Sequence, residues 1–115
     1  MRKTLMLAFA LLVVAVPAAA TARPAAVKPV VVSINVVNGR PVGGIKRPSI
    51  TKGRTVRLVV RTNAGTAVHL HGYDLQKAVK KGSPTVIQFV AKVPGRFEVE
   101  LHPTDSLLAQ LTVKP

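Results

Sequence analysis

From residue 30 onward the chain is a succession of short β-branched runs cut by turn signals, and that rhythm leaves few folds open. Val30-Val-Val-Ser-Ile-Asn-Val-Val37 runs straight into Asn38-Gly39, a strong hairpin signal. Pro41, Gly43, Gly44 and Pro48 make the next stretch irregular, with room for one short edge strand around Ile45. Thr51-Lys-Gly53 then turns the chain into Thr55–Arg61, and Asn63-Ala-Gly65 turns it into Thr66–His71. Further runs are Leu75–Val79, Thr85–Ala91, Arg96–Leu101 and Leu107–Val113. In the last two, alternation puts Phe97, Val99 and Leu101 on one face and Glu98 and Glu100 on the other, and turns Leu107, Ala109, Leu111 and Val113 inward. Runs of this kind, with turns about every 8 to 12 residues, predict an all-β Greek-key β-sandwich of about seven to eight strands. No segment after residue 30 holds a helical period, and there is no internal repeat.

The first 22 residues have another character. Arg2 and Lys3 give a positive start, Leu5–Val16 an apolar run, and Pro17–Ala22 the small residues that a signal peptidase accepts. The apolar run is too short for a bilayer span, which takes about 20 residues. The expectation is a cleaved secretory signal peptide over 1–22, a flexible Pro/Ala leader over 23–29, and one domain over 30–115 that is secreted or periplasmic. The chain has no cysteine, so core packing, or packing plus a metal, must hold the domain together. Both methionines, Met1 and Met6, lie in the signal segment, which leaves the domain without a sulfur ligand.

Charge is strongly biased: 17 Lys and Arg stand against 4 Asp and Glu, for a net +13, or +11 once Arg2 and Lys3 are removed. Such a chain is drawn to anionic surfaces, and peripheral membrane contact belongs to the same class. Export argues against nucleic acid, and so does the scarcity of aromatics, since Tyr73, Phe89 and Phe97 are the only ones in the domain. The plainer account is that Lys and Arg keep a small exported monomer soluble.

All three histidines lie in the second half. His69 and His71 flank Leu70, and on a strand the i, i+2 spacing turns both imidazoles to one face. His102, near the end of a later strand, can complete a site of the kind that suits copper or zinc. Asp74 and Asp105 follow His71 and His102 closely enough to orient an imidazole or add an oxygen ligand. Glu98 and Glu100 share the face of His102 but are weaker candidates. No catalytic constellation is present: Ser106, His102 and Asp105 crowd one turn, and Pro41-Val-Gly-Gly44 lacks the residues of a phosphate loop. The chain is read as a binding protein, not an enzyme.

Four pieces together resemble the cupredoxin-like family. They are Val68-His-Leu-His-Gly-Tyr-Asp74, Thr85-Val-Ile-Gln-Phe-Val-Ala91, the turn Val93-Pro-Gly-Arg-Phe97, and the closing Leu111-Thr-Val113 strand. The H-x-H-G-Y-D segment is similar to that of small exported cupredoxin-like proteins, akin to the cupredoxin domain of EfeO-type iron-uptake proteins. The resemblance implies metal binding by His71, near the family's first histidine ligand, and by His102. The family's electron-transfer members carry a cysteine where this chain has Leu101 or its neighbour, and a methionine afterwards; both are missing here. A type 1 copper centre needs that thiolate, so electron transfer of that kind is excluded.

Two functions follow. One is an exported protein that binds a transition metal, copper before zinc or iron, through His69, His71 and His102, for metal binding or delivery in the cell envelope. The other is a metal-free sandwich whose basic surface holds an anionic envelope polymer or a partner protein. In that second case His102-Pro103 is only a turn start, Gly72 a bend, and Tyr73 a corner residue bonded to backbone.

Overall fold

In a computed structural model, residues 10–23 and 25–115 are described. Residues 1–9, which carry the basic start and the first part of the apolar run, lie outside them. Residues 10–23 and 25–29 have no regular secondary structure, and among the described residues no helix is long and apolar enough to cross a membrane.

Alternation along the β-branched runs builds two sheets, each apolar on its inner side. The four-stranded sheet has the order β2-β1-β4-β7, from β1 (Val30–Val37), β2 (Arg40–Pro41), β4 (Thr55–Thr62) and β7 (Thr85–Val90). The five-stranded sheet has the order β3-β9-β8-β5-β6, from β3 (Ser49–Thr51), β5 (Ala67–Leu70), β6 (Leu75–Ala78), β8 (Gly95–His102) and β9 (Ser106–Lys114). Both sheets are mixed: β1 runs parallel to β4 and β3 parallel to β9, and the other pairs are antiparallel. β5 pairs with β8 across the excursion through β6 and β7, a Greek-key connection between the two layers. Ile34, Val56, Leu58 and Val60 from one sheet meet Val68, Leu70, Val99, Leu101 and Leu111 from the other, all essentially inaccessible to solvent.

Among the described residues nine strands form rather than about seven to eight, with β2 at Arg40–Pro41 an addition, and two further details of the pattern differ from the sequence expectation. The edge strand of the irregular region is not at Ile45, which is exposed, but at Ser49–Thr51, where buried Ile50 faces the core beside Val113 of β9. In β9 the register slips, so that Val99 pairs with Ala109 but Glu100 pairs with Leu107. Leu108 is the extra residue of this β-bulge and is buried with Ala109. Past the bulge the parity inverts, and Leu107, expected inward, lies opposite outward-facing Glu100.

Tyr73 locks the corner after β5. Its hydroxyl accepts from the Val93 N–H at 3.1 Å and donates to the Val93 carbonyl at 3.0 Å. Its ring packs on Phe89 and Phe97, with centroids 4.9 and 4.6 Å away. The ring contacts survive in Tyr73→Phe but both hydrogen bonds are lost, so urea unfolding should show a destabilisation of about 1–2 kcal/mol.

Candidate metal centre

The pairing of β5 with β8 assembles a cluster on the solvent side of the five-stranded sheet. Val68 and Leu70 point into the core, so His69 points out, and His71 follows on the same side with its ring centroid 4.1 Å from that of His69. On β8, Val99 and Leu101 are inward, which turns Glu98, Glu100 and His102 outward. His69 is directly opposite Glu100, and Ala67 is opposite His102. The His71 N–H donates to the Glu98 carbonyl at 2.9 Å, continuing the ladder one step beyond β5.

Side chains then meet along the diagonals of the pairing, a reach open to long and aromatic groups. His102 Nε2 lies 3.3 Å from His69 Nδ1. His71 Nε2 lies 2.8 Å from a Glu100 carboxylate oxygen. From the turn after β8, an Asp105 carboxylate oxygen stands 2.6 Å from His102 Nδ1. A carboxylate at that place favours a proton on Nδ1, which would leave Nε2, the atom facing His69, to donate to a metal. Glu100, His102 and Asp105 each offer one ligand atom within 4.8 Å of one another.

This donor set suits a borderline cation. Two nitrogens bound to one tetrahedral ion at about 2.05 Å would stand about 3.3 Å apart, the separation that His69 and His102 already have. All donors are imidazole nitrogens or carboxylate oxygens, which suit Cu(II) or Zn(II); a soft Cu(I) site draws on thiolate or thioether. Charge placement is equally pointed. The chain has four acidic side chains, and three of them, Glu98, Glu100 and Asp105, border the histidines. In so basic a chain, negative charge gathered there lowers the local potential that would otherwise oppose a cation.

The structure thus brings His69, His71 and His102 onto one surface with Asp105, and adds Glu100 as a central member. Asp74 is exposed in the turn between β5 and β6 and makes none of these contacts. Strand parity had already turned Glu100 to this face; what parity lacks is the register that sets it against His69 and within reach of His71.

No protein-family model and no curated protein sequence matches the chain. Solved structures do share its fold. A copper binding protein, whose apo form was determined by NMR, aligns at a TM-score of 0.59 with 11% identity over 73% of this chain and 86% of its own. The metal binding domain of the Cu(I) exporting P-type ATPase CopA of Streptococcus pneumoniae D39 aligns at 0.57 with 14% identity, over 79% and 93%. A chain of a heme-copper terminal oxidase dimer aligns at 0.56 with 17% identity, over 74% and 65%. The chain therefore has the β-sandwich fold of these proteins.

Proposed function

We propose that this chain is an exported cupredoxin-like protein that holds a transition metal, Cu(II) before Zn(II), and serves in metal binding or delivery in the cell envelope. The observation that carries this is the meeting of His69 and His102 nitrogens at 3.3 Å, with Asp105 against His102 Nδ1 and Glu100 clustered with His102 and opposite His69 on the paired strand. The likeness to the small exported proteins with an H-x-H-G-Y-D segment supports it, as do structural neighbours described as a copper binding protein and a Cu(I) metal binding domain. His69 and His102 would supply the nitrogens and Glu100 an oxygen, while Asp105 holds the His102 ring and His71 holds Glu100. The signal-like segment ending at Ala22 supports secretion or a periplasmic location. The role is one of binding rather than catalysis, and the missing cysteine and methionine keep it apart from type 1 electron transfer.

Calorimetric titration of the purified protein with Cu(II) and Zn(II) tests this. One-to-one binding is expected at pH 7.5, weakening as the solution is acidified, because an imidazole must be neutral to donate to a metal. Affinity no tighter than about 10⁻⁴ M for either ion would leave a metal-free scaffold as the function to pursue.

A further inference from the structure

The sandwich is electrically two-faced, and the side away from the histidines is the more basic one. None of β1, β2, β4 and β7 contains an Asp or Glu, so the whole four-stranded sheet is free of carboxylates. Its outer face carries Arg57 and Arg61 from β4, with Arg40 on the edge strand β2. Arg57 lies between Val31 of β1 and Gln88 of β7, and Arg61 lies beside Asn35. On the same face Val31 is 59% exposed, Val37 52% and Val90 41%, at positions where a sheet face turned to water would carry polar residues. A lone exposed valine needs no explanation; here Val31 stands beside Arg57 and Val37 beside Arg40, so that apolar and cationic groups lie side by side on an acid-free face.

We infer that this outer face docks on an anionic lipid bilayer. Its chemistry has two parts that match such a surface: guanidinium groups that pair with lipid phosphates, and valines between them that sit against the interfacial region. Exposed valines beside the arginines favour a surface with an apolar layer beneath its phosphates over a soluble linear polyanion, which offers charge alone. The opposite face carries Glu98, Glu100 and Asp105, which the same membrane repels. The molecule is thereby oriented with its imidazole cluster toward the aqueous side. The inference stands on the arginine face alone and does not require that the histidines hold a metal.

Co-sedimentation with vesicles tests it. The purified protein should pellet with vesicles of equal phosphatidylglycerol and phosphatidylcholine in about 0.05 M salt and be released in about 0.5 M, where screening removes the attraction. Phosphatidylcholine vesicles alone should not pellet it. Arg57→Gln/Arg61→Gln should weaken binding about tenfold, whereas Arg96→Gln/Lys114→Gln, which removes the same charge from the five-stranded face, should weaken it much less. All four side chains are exposed, so an unchanged melting curve will show that each variant is folded. Equal losses in the two double variants would overturn the face assignment. Binding to soluble polyphosphate without pelleting on the anionic vesicles would overturn the bilayer in favour of a linear polyanion.

Discussion

Replacing His102 with alanine should lower the affinity for Cu(II) at least about a hundredfold, the largest single loss expected in the cluster. A partner holding a ligand from behind is worth about 10–100-fold, so loss of the ligand itself should exceed that range. His102 is the one imidazole with both nitrogens engaged in the cluster: Nδ1 by Asp105 at 2.6 Å, and Nε2 toward His69 at 3.3 Å. His69→Ala should follow closely. Asp105→Asn leaves the ring in place but weakens its orientation, and should cost about 10–100-fold. Asp74→Asn should change nothing, because Asp74 makes none of these contacts. Without metal, the melting curves of all these variants should match that of the parent, since the groups are at most partly buried on a solvent-facing sheet surface. A His102→Ala protein that binds Cu(II) as tightly as the parent would sink the assignment of the centre.

What the chain announces in advance, and what it withholds, follows from the range of the forces involved. Alternation is local, so β1 could be bounded at Val30 and Val37, and the inward set Phe97, Val99 and Leu101 could be named from spacing alone. A bulge is not local. Leu107-Leu108-Ala109 offers three consecutive apolar residues, and only pairing against Val99 and Glu100 decides which of them is the extra one. β3 was obscured in the same way: in a stretch broken by glycine and proline, Ile50 becomes a strand residue because β9 lies alongside it.

The candidate centre repeats this lesson. His69 and His71 had to share a face on any regular strand, and Tyr73 was recognisable as a corner residue that bonds to backbone. That His102 comes to His69 depends on β5 and β8 being neighbours, a matter of topology that spacing within one strand does not contain. Glu100 was visible as a carboxylate on the right side of β8. Its place at the centre comes from the diagonal contact with His71, which exists only once the register is set.

The fold and the cluster are tied together at Gly72, the residue between His71 and the Tyr73 corner, and Gly72→Ala should destabilise the protein by about 2–5 kcal/mol. Two costs add. Gly72 has φ +85°, and a Cβ in this left-handed region costs about 1–2 kcal/mol. The added methyl would also collide with the ring edge of Phe97, and displacing that buried ring is worth about 1–3 kcal/mol. Phe97 cannot retreat freely, because it is buried and its other contacts include the ring of Tyr73. Gly43→Ala separates the two costs. Gly43 has φ +83°, but nothing lies within 4 Å of the Cβ position, so only the conformational part applies. Urea unfolding of both variants should therefore show Gly72→Ala as the more damaging by at least about 1 kcal/mol. Equal effects would mean that Phe97 moves aside at no cost, and the corner that carries His71 into the cluster would then be looser than its packing implies.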